Sequence, residues 1–311
     1  MSATVDPVQL RPLGLGEIFD RAVTLYVRNF AGFSIIALFL LVPISIANYF
    51  VLADQSTIST IFMQQIAHPH PGAAPPALPF SPALVWLLVA ALLLTPFANV
   101  ATAIGVARLY AREPVDWQSC YRRALARWPQ ILLVLLVELA IVTGAIFAGA
   151  LGIGIFTGLA IVLFRASAVA GVVAGVAAFL VLLAWLVSLM LLYLAAMFMF
   201  DAVGIEGVPV GAAIGSGFAR IFNRSEFWRA VLAGLAIFAI QFGLILVATI
   251  AVGIVEAVLK SHLVDTIAQG LVSLLSTAFL AVLIAVYYYD VRVRREGLDL
   301  QASVERLTAG T

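Results

Sequence analysis

The sequence predicts an all-α integral membrane protein with six transmembrane helices, and two properties of the chain lead to that class. Hydrophobic residues make up 64% of its 311 residues and charged residues only 11%, whereas a soluble domain is roughly half apolar and a quarter charged. The apolar residues also gather into long runs. A helix of about twenty apolar residues crosses the hydrocarbon core of a bilayer, which is about 30 Å thick. We therefore expect residues 1–311 to form a single membrane domain.

Six apolar runs are long enough to span a bilayer. They lie at about 31–52, 83–106, 131–151, 169–200, 230–254 and 270–289. The fourth is about 48 Å long if it is wholly helical at about 1.5 Å per residue, so it is expected to tilt or to project from the membrane. The stretch 152–168 is ambiguous, because Gly152, Gly154 and Gly158 interrupt an apolar segment.

The positions of the arginines predict the orientation of the spans. If the N-terminus is cytoplasmic and there are six spans, fifteen of the seventeen Lys and Arg residues lie inside, and only Arg165 and Lys260 lie outside. Bacterial membrane proteins retain positive charge on the cytoplasmic side in this way. A seventh span at 152–168 would place seven arginines outside. We therefore expect both termini in the cytoplasm, and no signal peptide is expected because the first thirty residues lack an apolar core.

A short amphipathic helix is predicted before the first, third and fifth spans. These helices begin near Leu15, Trp117 and Val210, and Asp116 is the expected N-cap of the second. Each helix precedes two spans, which gives three repeat-like units at about 13–107, 114–200 and 208–296. Each unit is expected to be an interfacial helix followed by a transmembrane hairpin.

Two roles remain open for the three amphipathic helices. In one role they are anchors that only set the tilt of the spans, and in the other they form a cytoplasmic collar that binds anionic lipid or a protein partner. The collar hypothesis depends on repeated basic residues. These are Arg21, Arg28, Arg122, Arg123, Arg127, Arg220, Arg224, Arg292, Arg294 and Arg295.

Three polar residues within the predicted spans form a candidate intramembrane site: Glu138, Asn99 and Gln241. Glu138 lies eight residues past Gln130, roughly 12 Å along a helix. Charged groups at such depth are costly and usually face the interior of a bundle. Glu138 is therefore expected either to make a structural polar contact or to serve proton- or substrate-linked transport.

The segments outside the spans carry few chemical signals. The extracytoplasmic loop 54–82 contains His68, His70 and six prolines, a composition that favours an extended segment. No third ligand lies near the two histidines in sequence, so a metal site is not expected. Residues 297–311 are predicted to form a flexible tail.

The end of the last span is predicted to be a helix that continues past the membrane. Three oppositely charged pairs there have i,i+4 spacing: Asp290–Arg294, Arg292–Glu296 and Arg295–Asp299. Gly297 is the expected stop for this helix and would leave the third pair outside it. Tyr287, Tyr288 and Tyr289 precede these pairs and are expected to mark the membrane interface.

Three short stretches resemble a bacterial family of six-span membrane proteins. They are RPLGLGEIFDR at 11–21, SEFWR at 225–229 and YYYDVRVRREGLD at 287–299. The family carries the name of the membrane domain of glycerophosphoryl diester phosphodiesterase, and the resemblance implies a bacterial inner-membrane protein. In its fused members the phosphodiesterase chemistry belongs to a separate soluble barrel domain. This chain has no His-Arg-Gly run, so phosphodiesterase activity is not expected.

The sequence favours a non-enzymatic accessory or scaffold protein that acts through its cytoplasmic helices. No phosphate-binding loop, zinc-ligand spacing or nucleophile elbow is present, so neither an enzyme nor a cofactor is expected. The expected partners are the lipid bilayer, including anionic lipids, and a membrane protein or a second copy of the chain. The arginines follow membrane sidedness, so nucleic acid is not expected. The alternative is a transporter or channel for a small or amphiphilic substrate, with its polar site around Glu138.

Overall fold

The computed structural model describes residues 11–67, 82–259 and 262–297. Within these ranges the chain forms nine α-helices and one π-helical turn, and no β-strand. The elements are α1 (Leu15–Arg28), α2 (Phe30–Ala67), α3 (Pro82–Tyr110), α4 (Trp117–Ala126), α5 (Trp128–Ala166), α6 (Ala168–Asp201), the π-turn (Ala202–Glu206), α7 (Val210–Ile221), α8 (Phe227–Leu259) and α9 (His262–Glu296).

Six of these helices are long and apolar enough to cross a membrane: α2, α3, α5, α6, α8 and α9. The predicted all-α membrane class is therefore confirmed, and each predicted span lies within one of the six helices. Along the described chain a short helix (α1, α4 or α7) precedes each pair of long helices. The His68 and His70 motif lies outside the described residues.

The ambiguous stretch 152–168 is helical almost throughout. Helix α5 continues to Ala166, Ser167 is extended with φ −158° and ψ 128°, and α6 begins at the next residue. At 39 residues, α5 is about 58 Å long at about 1.5 Å per residue. The helix is longer than the span predicted at 131–151, because glycines weaken a helix without ending it.

Close contacts hold α5 and α6 together as a hairpin. The indole Nε1 of Trp185 donates to the carbonyl of Ala145 at 2.9 Å, and the same ring covers Gly149 so closely that a Cβ there would overlap it. Near the turn, the backbone at Gly171 lies against Phe164 in the same way. Small residues at these two positions allow the helices to approach each other.

The chain forms two compact units, each assembled from separate parts of the sequence. Unit 1 comprises the described residues of Phe19–Leu125 and Gln241–Leu283, and unit 2 comprises those of Gln9–Ile18, Ala126–Ile240 and Ile284–Thr311. The core of unit 1 includes Phe33, Val100 and Cys120, which are fully buried. The unit 1 core therefore includes α4 as well as the long helices α2 and α3.

The core of unit 2 lies at the C-terminal end of α6 and at the three tyrosines that follow the apolar part of α9. The ring of Phe198 packs edge-on against Tyr288, with ring centres 5.1 Å apart, and lies 5.4 Å from Tyr287. Tyr287 and Tyr288 are almost completely buried, and their expected position at the membrane interface stays a prediction. Their neighbours in the structure are protein side chains because α6 covers this face of α9.

Candidate functional site

A buried carboxylate holds the segment before α1 in place within unit 2. The Leu13 backbone N–H donates to Oδ1 of Asp290 at 2.6 Å, and the Leu13 carbonyl accepts from Arg229 Nη2 at 2.8 Å and Arg294 Nη2 at 2.7 Å. Both arginines also contact Oδ2 of Asp290, whose side chain is completely buried. We call Leu13, Arg229, Asp290 and Arg294 the N-terminal clamp.

The clamp compensates the cost of burying a charge. Removing a carboxylate from water costs several kcal/mol unless ion pairs and hydrogen bonds replace its hydration. Asp290 has a backbone N–H on one oxygen and two guanidinium groups on the other. A guanidinium can bind a carboxylate and a carbonyl at the same time because its donors form a rigid fork. Arginine at 229 and 294 therefore suits a geometry that lysine would not reproduce.

A second ion network in unit 2 joins the C-terminal end of α9 to α7 and to the π-turn. Arg220 Nη2 lies 2.8 Å from Glu206 Oε1 and 2.6 Å from Glu296 Oε1. Arg292 contacts the same two carboxylates, at 3.3 Å and 2.8 Å. The hydroxyl of Tyr288 accepts from Arg220 and donates to Glu206, and Arg220 lies over its ring at 4.6 Å. We call these five residues the Glu206 network.

The π-turn positions Glu206 and depends on an arginine from the start of α5. Arg127 Nη1 donates to the carbonyls of Val203 and Gly204, the latter at 2.7 Å. The turn ends at Gly207, which has a φ of +68°. Carbonyls at the C-terminal end of a helix lack intrahelical partners, and Arg127 satisfies two of them.

Asp201 is a further buried acid at the start of the π-turn. The residue is 5% exposed, and its Oδ2 atom has no hydrogen-bond partner among the described residues. Single π-helical turns are often found at functional sites. The sequence pattern singles out neither Asp201 nor Glu206, since both lie past the predicted end of the fourth span, where a charged residue is expected to be solvated.

In unit 1, α4 begins at a carboxylate cap. The predicted N-cap Asp116 is confirmed, since its oxygens accept from the backbone N–H groups of Gln118 and Ser119, each at 3.2 Å. Slight desolvation acts to raise the pKa of Asp116, but hydrogen bonds from Ser119 and Gln118 outweigh it and lower that pKa. Arg108 Nη1 donates to Ser119 Oγ at 2.8 Å. These contacts hold the start of α4 against the end of α3.

The buried face of α4 carries the only cysteine of the chain. Cys120 is fully buried, and burial raises the pKa of its thiol to about 11, against the opposing effect of Arg108. On the same helix, the Tyr121 hydroxyl donates to the carbonyl of Ile36 at 2.7 Å. Helix α4 therefore contacts α2 through a specific hydrogen bond as well as through apolar packing.

The structure divides the ten arginines of the predicted collar into two groups. Five of them donate to groups of the chain itself: Arg127, Arg220, Arg292, Arg294 and Arg295. Arg21 is half-buried and also has a partner. Arg28, Arg122, Arg123 and Arg224 are exposed, and their side chains form no hydrogen bond or ion pair within the described ranges. These four guanidinium groups are therefore not engaged by the described part of the chain.

The three predicted intramembrane residues lie in both units. Asn99 on α3 and Gln241 on α8 belong to unit 1, and Glu138 on α5 belongs to unit 2. Glu138 is half-buried and lies within electrostatic range of Tyr193 on α6. Oε1 of Gln241 is buried and has no hydrogen-bond partner among the residues described. Unit 1 also contains an interhelical bond that sequence analysis missed, from Asn48 Nδ2 to Gln269 Oε1 at 3.2 Å.

Neither a metal centre nor a known relative assigns a chemistry to these residues. Within the described parts of the chain, no group of three or more His, Cys, Asp or Glu side chains could hold a metal ion. Comparison with protein-family models, with curated proteins and with solved structures gives no match. A functional proposal for this chain therefore has to rest on its own geometry.

Proposed function

We propose that this multi-pass membrane protein is a non-enzymatic accessory or scaffold protein of the bacterial inner membrane. Both termini lie in the cytoplasm, and the protein acts through the surface at the cytoplasmic ends of its spans. The observation that carries the proposal is the pair of ion networks in unit 2. In them, the buried Asp290 and the partly exposed Glu206 and Glu296 fix the ends of α8 and α9, the segment before α1 and the π-turn. Such a network gives a rigid surface on which exposed side chains keep their positions.

In each unit taken by itself, exposed side chains near the predicted cytoplasmic ends of the spans combine positive charge with large apolar groups. In unit 2, Arg224 is exposed and Trp228 is 73% exposed, four residues further along the chain. In unit 1, Arg122 and Arg123 are exposed on α4 beside Leu125. Arginine together with large apolar groups is typical of surfaces that bind other macromolecules or lipid headgroups.

The location and the family both rest on the sequence. The distribution of arginines supports cytoplasmic termini. The proposed family, named for the membrane domain of glycerophosphoryl diester phosphodiesterase, rests on motifs that include 11–21 and 287–299. These two motifs are in direct contact, since Leu13 of the first binds Asp290 of the second. A contact of this kind is a physical reason for the two motifs to occur together.

A pull-down of the full chain in mild detergent tests the scaffold proposal. Wild type is compared with R122Q/R123Q and R224Q, and R165Q is the matched control because Arg165 is exposed but predicted to lie on the opposite side of the membrane. We expect membrane proteins that copurify with wild type and R165Q to be lost from the cytoplasmic-side variants. An identical set of proteins with all four samples would contradict the proposal.

The position of the Glu138 carboxyl inside a candidate span favours transport as a second candidate function. Its half-buried carboxyl on α5 forms no hydrogen bond or ion pair within the described residues, which is unusual for an acid inside a span. Proton flux into vesicles that contain the purified protein and an internal pH-sensitive dye tests this candidate. Flux in wild type that is lost in E138Q would support transport, and equal flux in the two proteins, or none in wild type, would contradict it.

A further inference from the structure

At one end of unit 1, arginines outnumber the acids that could neutralise them. The segments 19–28 and 108–125 contain six arginines and three acidic residues. Two of the three acids are already engaged, because Glu113 pairs with Arg108 at 3.4 Å and Asp116 caps α4. Four of the six arginines are exposed, and their side chains form no hydrogen bond or ion pair in the described part of the chain: Arg28, Arg112, Arg122 and Arg123.

These four arginines lie at the ends of two candidate spans. Arg28 comes two residues before α2, and Arg112 comes two residues after α3. Helix α4, which carries the other two arginines, is bound to the same end of α2 by the Tyr121–Ile36 hydrogen bond. The segment before α4 also contacts α2, since a Cβ at Gly32 would lie 2.9 Å from the Val115 side chain. The four arginines therefore belong to one end of the α2–α3 pair.

The backbone at Arg112 is a separate sign that this side chain has a function. Helix α3 ends in a Schellman motif, in which Glu113 N–H donates to the Arg108 carbonyl at 2.8 Å and Arg112 N–H to the Leu109 carbonyl at 3.0 Å. Arg112 occupies the left-handed position of this motif with a φ of 63°, where glycine is usual. Strained residues of this kind cluster at functional sites. Arg112 therefore places a long side chain at a position where glycine would fit the backbone better.

We propose that Arg28, Arg112, Arg122 and Arg123 form a binding surface for the phosphate headgroups of anionic phospholipids. Guanidinium groups bind phosphate through paired hydrogen bonds, and basic residues at the ends of spans attract anionic lipids. Val27 and Leu125, which are 65% and 56% exposed beside these arginines, favour a lipid over a soluble acidic partner because the headgroup region accommodates apolar side chains. The surface deepens the proposed function, on whose membrane orientation it rests, by naming a lipid as its partner.

Thermal unfolding of the purified full chain in detergent tests this surface. The Tm is measured during titration with phosphatidylglycerol, with phosphatidylcholine and with inorganic phosphate, since a ligand that binds the folded state raises the Tm. We expect only phosphatidylglycerol to raise the Tm of wild type and of R165Q. The half-saturating concentration of phosphatidylglycerol should rise roughly a hundredfold in R28Q/R122Q/R123Q, because each of the three juxtamembrane arginines contributes a factor of roughly five.

The variant R112G separates lipid binding from folding. Glycine relieves the left-handed backbone, so the Tm without lipid should be unchanged or higher, while the half-saturating concentration of phosphatidylglycerol rises about fivefold. No preference of wild type for phosphatidylglycerol over phosphatidylcholine, an equal response to inorganic phosphate, or unaltered lipid binding in both variants would overturn the proposal. This assay uses the purified chain alone, so lipid binding can be found even if the pull-down finds no protein partner. Equally, the pull-down can find a partner even if this assay finds no lipid binding.

Discussion

The backbone N–H of Leu13 donates to the carboxylate of Asp290 at 2.6 Å, although 277 positions separate the two residues in the sequence. The same carboxylate binds Arg229 and Arg294, which both return to the Leu13 carbonyl. The segment before the first helix is thereby bound to the last helix through one buried acid. The stability of this arrangement should depend on the charge of Asp290.

Replacement of Asp290 by asparagine tests the N-terminal clamp. Asp290→Asn leaves the two guanidinium groups without their anion, and removal of one partner from a buried ion pair costs about 3–5 kcal/mol. Because Arg229 and Arg294 are partly exposed, we expect a loss of about 2–4 kcal/mol in the free energy of unfolding, measured by denaturant titration in micelles. Glu17→Gln is the matched control, since the Arg11–Glu17 pair is about half exposed and should contribute less than about 1 kcal/mol.

Replacement of Arg220 by lysine tests whether the Glu206 network requires a guanidinium group. Arg220 contacts Glu206, Glu296 and Tyr288 at the same time, and a single ammonium group cannot reproduce that geometry. We expect Arg220→Lys to lower the free energy of unfolding by about 1.5–3 kcal/mol. Arg122→Lys, on an exposed residue, should leave it unchanged. Equal stability of the two variants would show that charge alone holds this network together.

Local geometry accounts for the parts of the structure that the sequence predicted correctly. The six spans follow from the lengths of the apolar runs, the cap of α4 from Asp116, and the end of α9 from Gly297, which has a φ of 61°. The predicted pairs Asp290–Arg294 and Arg292–Glu296 form, at 3.2 Å and 2.8 Å. The third predicted pair, Arg295–Asp299, extends outside the described residues. Each successful prediction concerns a continuous stretch of chain, either the length of an apolar run or a cap, a stop or an ion pair between groups within four residues of each other.

Contacts between distant segments were not predictable from the same sequence. Asp290 was assigned a local partner only, and nothing in its surroundings along the chain indicates that Leu13 and Arg229 also bind it. Tyr287 and Tyr288 are predicted at the membrane interface from their residue type, and that pattern does not indicate which element packs against them. Their burial depends on the ring of Phe198 from α6. Sequence periodicity identifies the face of a helix but not the element that covers it.

Glycine substitutions test the geometry at the end of the π-turn. At Gly207 a Cβ would lie 2.9 Å from Arg127 Nη2, and the φ of +68° is unfavourable for alanine. We expect Gly207→Ala to lower the free energy of unfolding by about 1–3 kcal/mol. Gly215 in α7 has open space around it, so Gly215→Ala should raise the same quantity by roughly 0.5–1 kcal/mol. Thermal unfolding of the two variants checks both signs, and destabilisation by Gly215→Ala would contradict the placement of α7.

The thiol of Cys120 should resist alkylation in the folded protein. Its pKa of about 11 leaves little thiolate at pH 7.5, and only the thiolate is reactive. We expect iodoacetamide to modify Cys120 slowly at pH 7.5 and faster as the pH approaches 11. A cysteine introduced at the exposed position 125, in a Cys120→Ala background, should react at the rate of an ordinary thiol. Rapid modification of native Cys120 at pH 7.5 would show that the buried face of α4 is accessible to solvent and would contradict the packing of this helix.

The same raised pKa predicts a loss of stability in alkaline solution. Below about pH 8.5 the thiol is neutral in both folded and unfolded states, so it makes no pH-dependent contribution. Between that pH and about 11 the unfolded chain loses the proton and the folded chain retains it. The free energy of unfolding should therefore fall over this range in wild type and fall less in Cys120→Ala. Equal alkaline slopes for the two proteins would be inconsistent with burial of the thiol.

The proposed function and the lipid-binding surface both require that the span ends next to α1, α4 and α7, together with the C-terminus, face the cytoplasm. Fusion of either green fluorescent protein or alkaline phosphatase after Thr311, expressed in a bacterium, measures this directly. We predict a fluorescent first fusion and an inactive second one, because the fluorescent protein folds in the cytoplasm and the phosphatase requires disulfides that form in the periplasm. An active phosphatase fusion would place the C-terminus outside and would contradict the orientation on which the proposed function and the lipid-binding surface depend.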